Sequence, residues 1–149
     1  AVRGMFVEGI LALPVIQQPA RNSAFVSSEW GILTEFNSAH KNGVTGLLAH
    51  NFLSGGQFYS LALGQEIWIV YGDGTLRRYR IQSIDQYHKL NPASLQSDLV
   101  ELSTGKKVST SQVFNQFYKG EHRLTLQTCL EREGVSNWGL TFWTAVPAP

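Results

Sequence analysis

Cysteine is almost absent from this chain of 149 residues: Cys129 is the only one. A single cysteine excludes an internal disulfide, and with four scattered histidines it does not make a structural zinc site. Charge is also scarce. Asp, Glu, Lys and Arg make up 15% of the residues, against a usual ~25%. The net charge is +1 and no basic run occurs, which argues against nucleic acid or an acidic lipid surface as partner. No apolar run reaches the ~18 residues of a membrane span. No signal peptide is visible, and the chain starts at Ala1 without a methionine. Internal repeats and low-complexity tracts are missing. No Lys or Arg follows Arg132.

What the chain does have is glycine, 14 residues, and aromatics: four Trp, five Tyr and eight Phe. Its length suits one domain over residues 1–149 with a core that needs no staple. The aromatics read as core or groove packing. The segment Met5 to Ile16 reads as a short strand and turn, and Ser28 to Ala39 as a helix with Trp30, Leu33 and Phe36 at three-to-four spacing. Val44 to Asn51 reads as a buried strand broken by Ser54-Gly55-Gly56, which lacks the Lys-Ser/Thr of a phosphate loop. Glu66 to Tyr71 and Leu76 to Ile84 form a hairpin through the Asp73-Gly74 turn signal. Tyr87 to Ser97 reads as a polar loop. Ser109-Thr110-Ser111-Gln112 opens a helix through Tyr118, and Gly120 ends it. A strand through Cys129, a polar loop Glu131 to Asn137 and a strand Trp138 to Val146 complete the chain. Seven or eight strands with two short helices make an all-β fold, most economically a closed or nearly closed barrel.

Cys129 either fills space or acts as a thiol. On a strand, Leu124, Leu126, Thr128 and Leu130 share one face, and Thr125, Gln127 and Cys129 share the other. The leucines mark the core face, so the cysteine points away from the core onto a more polar face. A nucleophilic thiol needs a base or cation beside it, because the thiolate is the reactive form. His50 suits that role best: it ends the apolar run Gly46-Leu47-Leu48-Ala49, beside a glycine-rich break where catalytic groups are often presented. His40, His88 and His122 lie in polar contexts typical of surface histidines.

The run Leu124-Thr125-Leu126-Gln127-Thr128-Cys129 resembles the Thr-Leu-x-Thr-Cys signature of sortases, the cysteine transpeptidases of bacterial cell surfaces. The run Gly46-Leu47-Leu48-Ala49-His50-Asn51, followed by Gly55-Gly56-Gln57-Phe58 and Leu61, resembles their catalytic-histidine segment. The resemblance covers roughly residues 8 to 146 and implies a closed eight-stranded barrel with two or more short helices. It implies that Cys129 is the nucleophile, that His50 protonates the leaving amine, and that Thr128 contacts substrate. The implied substrate is a sorting-signal peptide, often Leu-Pro-x-Thr-Gly-like, of a surface protein. The implied acceptor is an amine of a cell-wall precursor or a pilin lysine. The implied setting is the outer face of the bacterial membrane, which an anchor outside residues 1–149 would contact. No cofactor or metal is implied.

One position departs from the family pattern. Sortases carry an arginine on the strand after the cysteine, in some members after a Trp-Gly pair. Here Trp138-Gly139 is followed by Leu140. Arg132, three residues after Cys129, is the cation expected to reach back from the loop into the arginine's catalytic place, and Asn137, a neutral donor, and Leu140 are expected to contact the substrate. An oxyanion donor is worth ~2.7–4 kcal/mol, so its loss raises a second reading, a sortase-fold peptide-binding module with little or no catalysis. A third is a hydrolase that releases a free acid.

Overall fold

Two short turns start the architecture. Gly9, at φ +74°, joins β1 (Val2–Val7) to β2 (Leu11–Gln17). Asp73-Gly74 joins β5 (Glu66–Tyr71) to β6 (Leu76–Lys89); Gly74 sits at φ +86°, and Asp73 Oδ1 accepts from the Thr75 N–H at 3.0 Å. The left-handed backbone at each glycine costs a side chain dearly, so glycine holds both turns. The computed structural model describes all residues 1–149.

The remaining elements are β3 (Leu33–Glu35), α1 (Asn37–Lys41), β4 (Thr45–Leu48), a 3-10 turn (Ser54–Ser60), β7 (Leu99–Glu101), β8 (Lys107–Val108), α2 (Thr110–Tyr118), β9 (Leu124–Arg132) and β10 (Val135–Pro147). Around the barrel the strands run β10-β9-β4-β3-β2-β1-β5-β6, and the β6–β10 pairing closes the ring at eight strands. β7 and β8 extend from the far end of β6. Only the β2–β3 and β4–β9 pairs are parallel.

The barrel interior holds one core, which includes Leu47, Leu124, Leu126, Ile67, Tyr79 and Trp143. A second, smaller core lies outside the wall, where α2 packs Val113, Phe117 and Tyr118 against Tyr87 and Phe142. Phe117 and Phe142 stack with ring centroids 4.2 Å apart. Alternation along β10 explains the split, because Trp143 and Ala145 face in while Phe142 faces out. Ser109 caps α2, accepting from the Gln112 N–H at 3.1 Å, while the Gln112 side chain accepts from the Ser109 N–H at 2.8 Å.

Three local expectations are corrected. Ser28 to Ala39 is not a helix: Gly31 at φ +81° interrupts it, Leu33–Glu35 pairs with β2 and β4, and the helix is confined to Asn37–Lys41. Strand pairing between two neighbours outweighs the weak helical periodicity there. Met5 to Ile16 is most of a full hairpin, with Pro14 placed just before pairing with β3 begins at Val15. Tyr87 to Lys89 is not loop: β6 runs 14 residues, because β10 and β7 supply partners out to its end.

Candidate active site

Cys129 sits late on β9, opposite Leu140 of β10, and Leu140 in turn lies opposite Tyr87 of β6. These three side chains share the outer face. Thr128 faces the other way, and its hydroxyl donates to the Ala49 carbonyl at 2.7 Å in a buried position. The leucine face is therefore the core face, as the alternation predicts. The cysteine face is not an open polar surface, however. α2 covers part of it, and Cys129 is half-buried.

The parallel β4–β9 pairing brings in His50. Thr45 is opposite Leu124 and Leu48 opposite Gln127, a constant offset of 79. The same offset two residues beyond Leu48 sets His50 beside Cys129. The Ala49 N–H donates to the Gln127 carbonyl at 3.3 Å, so the register holds past the end of β4. Adjacent strands lie roughly 4.8 Å apart, and both side chains open onto the same cleft. The His50 ring stacks on Phe52 at 5.0 Å, and its carbonyl accepts from the Leu53 and Gly55 N–H groups, each at 3.0 Å.

Gly55 makes this junction possible. A Cβ there would lie 2.3 Å from Thr128 Oγ1, 2.7 Å from the Ala49 carbonyl oxygen and 2.8 Å from that of His50. The 3-10 turn thus packs directly on the backbone that joins the histidine to the cysteine strand. From the same turn, the Tyr59 hydroxyl donates to the Cys129 carbonyl at 2.7 Å and bonds Thr141 Oγ1 at 2.9 Å. Burial pushes the Tyr59 phenol up, so it remains a hydroxyl donor at neutral pH.

Cys129 and His50 both line a cleft of about 490 Å³. Its walls are largely apolar, with Phe36, Leu48, Val113, Phe114, Leu140 and Phe142 among them. The Gln127 side chain shares the cysteine face, and Tyr118, wholly buried, donates its hydroxyl to Gln127 Oε1. That bond turns the Gln127 amide nitrogen away from Tyr118 and leaves its N–H groups as donors. The one basic side chain in the lining besides His50 is Lys89, from the end of β6. Burial raises the Cys129 thiol above the ordinary cysteine range, and the Lys89 charge opposes that rise. The thiol therefore rests protonated at neutral pH, and a neighbouring base has to take its proton. No group of three or more His, Cys, Asp and Glu side chains is arranged to hold a metal ion.

The remaining residues expected at the site fall as follows. Leu140 lines the cleft. Thr128 also borders it, but its hydroxyl is committed to Ala49. Arg132 and Asn137 are not in the lining. Arg132 pairs with Val135 beside the Glu133-Gly134 turn, and its guanidinium lies 4.9 Å from the centre of the Trp138 indole. His88 stacks on the same indole at 3.9 Å. Asn137 lies where the β9–β10 register shifts, and its side-chain nitrogen donates to the Pro92 carbonyl at 3.1 Å. The loop expected over Glu131 to Asn137 is thus a tight turn plus a bulge, which sends both side chains away from the cleft. Gln127 was legible as a neighbour of Cys129 from strand alternation. Lys89 was hidden because the expected strand stopped at Ile84.

No family model matches the sequence, and no curated protein matches it either. Solved structures do match in fold. Sortase C1 from Streptococcus suis superposes with a TM-score of 0.66 at 12% identity, covering 99% of this chain and 73% of that one. Sortase C-1 from Actinomyces oris gives 0.64 at 12% identity, with 99% and 71% covered. A sortase D5 transpeptidase from Clostridium perfringens gives 0.63 at 13% identity, with 99% and 79% covered. A closed eight-stranded barrel of this topology, matched over nearly its whole length, has the sortase fold.

Proposed function

We propose that this protein is a cysteine transpeptidase that moves the acyl part of a sorting-signal peptide onto an amine. The observation that supports the reading is that His50 and Cys129 line one apolar cleft, with the β4–β9 offset, carried two residues on, setting them at the same level. His50 takes the Cys129 proton, and Sγ attacks the scissile carbonyl carbon while the carbonyl electron pair moves to oxygen. When the carbonyl re-forms, the C–N bond breaks and the leaving amine takes the proton from His50. The acyl group is then held as a thioester, which splits amide exchange into two easier steps. An incoming amine attacks the thioester carbon, His50 takes its proton, and the C–S bond breaks to release the Cys129 sulfur, which regains that proton. Water in its place gives the free acid. Thr128 keeps the cysteine strand and the histidine segment together, and Leu140 shapes the wall beside the thiol. The apolar lining suits a peptide with an apolar side chain next to the scissile bond. A Leu-Pro-x-Thr-Gly-like signal and an acceptor amine of a cell-wall precursor or pilin lysine fit this chemistry, as does a site of action at the bacterial cell surface. No helix of the chain is long and apolar enough to cross a membrane.

A specific observation favours the second reading, a peptide-binding module. The guanidinium of Arg132 is engaged with Trp138, and no arginine lines the cleft. Product analysis separates the readings. Wild-type protein with a sorting-peptide library and added amines should yield amine-linked product, and Cys129→Ala should yield none. Full activity in Cys129→Ala would defeat the transpeptidase reading. Peptide binding without any product, in the presence or absence of amines, would establish the module.

A further inference from the structure

The charge balance of the cleft leaves one group without an assignment. Lys89 closes β6, two residues beyond Tyr87 and on the same outer face as Tyr87, Leu140 and Cys129. From β6 to β9 is two strand spacings, roughly 9.6 Å, and Lys89 lies two residues, roughly 6.8 Å, beyond the level of Cys129, a diagonal of roughly 12 Å of which the four-carbon stem of lysine crosses part. The ammonium is loosely held: its one protein acceptor is the Pro92 carbonyl, at a long 3.5 Å. That same carbonyl already accepts from Asn137 at 3.1 Å. No carboxylate lies within ion-pair distance of Lys89.

The other charged or titratable groups around it are engaged, neutral or outside the cleft lining. On the neighbouring β7 segment, Asp98 pairs with Lys107 at 3.6 Å, and Glu101 accepts from Thr104 and Tyr87. On β6, His88 stacks on Trp138, and Asp85 lies opposite Phe142 on the same outer face as Tyr87 and Lys89, four residues from Lys89 and outside the cleft lining. On β9, Glu131 is exposed and Arg132 lies over Trp138. From the 3-10 turn, Tyr59 is a neutral phenol bonded to the Cys129 carbonyl. Of the titratable groups in the cleft lining besides Lys89 and Cys129, Tyr118 is a buried phenol that donates to Gln127, and His50, beyond β4, is the other.

We propose that Lys89 is the positive charge of this site, which steadies the Cys129 thiolate and the negative charge that develops on the substrate carbonyl oxygen. The inference rests on Cys129 being the nucleophile. It answers the absence of an arginine by a different route: a cation delivered from β6, across β10, to the face where Cys129 sits. A buried thiol needs such a group, since burial alone disfavours the thiolate. An ammonium with unspent donors at a partly dry cleft is also suited to receive an oxyanion. The requirement on β6 is specific. Had the strand ended at Ile84, the lysine would not reach the cleft.

The test compares wild type with Lys89→Met, Lys89→Gln and Lys89→Arg. Alkylation of Cys129 by iodoacetamide is followed from pH 6 to 11, without peptide. Lys89→Met and Lys89→Gln should move the midpoint up by about half a unit to one unit, and Lys89→Arg should stay near wild type. With a sorting peptide, the rate of acyl-enzyme formation should fall on the order of 10- to 100-fold in the two neutral variants, somewhat less than loss of a fixed oxyanion donor. Lys89→Arg should recover most of that rate. A merely structural lysine would leave the alkylation profile in place once folding is checked by thermal melting. Unchanged profiles and acylation within twofold of wild type in both neutral variants would overturn the assignment while leaving the nucleophile intact. A wild type that forms no acyl-enzyme would instead overturn the nucleophile reading, and this one with it.

Discussion

Replacing Gly55 by alanine tests how the histidine and cysteine segments are joined. The added methyl would need to sit 2.3 Å from Thr128 Oγ1 and 2.7 and 2.8 Å from the carbonyl oxygens of Ala49 and His50. Ordinary contacts lie beyond about 3.5 Å, so the 3-10 turn must move away by about 1 Å or slightly more. Overpacking of this kind costs about 1–3 kcal/mol. Separation of Thr128 from Ala49 would add the loss of one buried hydrogen bond, about 1 kcal/mol. The sum, about 2–4 kcal/mol, corresponds to a fall in melting temperature of roughly 5–12 °C for a domain of this size. Differential scanning calorimetry checks it, with Gly4→Ala as the control. At Gly4 a Cβ meets nothing closer than 3.7 Å, so that variant should melt near wild type. The double variant Gly55→Ala/Thr128→Ala refines the point. It removes the hydroxyl but leaves both carbonyls in the way, so it should remain as unstable as Gly55→Ala. A Gly55→Ala protein that melts within 2 °C of wild type, or a full rescue by Thr128→Ala, would refute the reasoning.

Further consequences are open to direct measurement. Cys129 alkylation should rise with pH to a midpoint above the ordinary cysteine value of ~8.5, because burial raises the thiol; a midpoint below 8 would contradict that. Tyr59→Phe removes the hydroxyl that holds the Cys129 carbonyl and Thr141. It should cost about 1–2 kcal/mol in urea unfolding and slow acylation with little effect on peptide binding. Ser109→Ala removes the half of the α2 capping box made by the side chain, the hydroxyl that accepts from the Gln112 N–H, and leaves the Ser109 N–H to donate to Gln112. It should cost about 1 kcal/mol, read in the same unfolding assay, with the cleft still able to bind peptide.

The parts of this fold that local chemistry dictates were open to reading from the residues. The Asp73-Gly74 turn, the Ser109 and Gln112 cap and the alternation of Leu124 and Leu126 each declare themselves within a few positions. His50 stood out for the same reason, since an apolar run ends at it beside a glycine-rich break, and both it and Cys129 line one cleft. What stayed hidden depends on contacts distant in the chain. β6 looks finished at Ile84 until β10 and β7 are seen to pair with its last residues, and only then does Lys89 arrive at the cleft. The cover that α2 places over the cysteine face is likewise invisible in β9 itself, and it is why a face expected to be polar holds a half-buried thiol. The Ser28 to Ala39 periodicity failed because Gly31 breaks it and two neighbouring strands claim Leu33 to Glu35. Arg132 is the nearest cation to Cys129 in sequence, yet a two-residue turn and an indole direct it elsewhere.

The most direct test is whether an acyl group forms on the Cys129 sulfur. Wild-type protein mixed briefly with a sorting peptide, quenched in acid and examined by intact mass and peptide mapping, should carry one acyl adduct on Cys129. The adduct should disappear when an amine is added, and His50→Ala should form it at least 100-fold more slowly. No adduct with any sorting peptide, or turnover that persists in Cys129→Ala, would contradict the account at its centre.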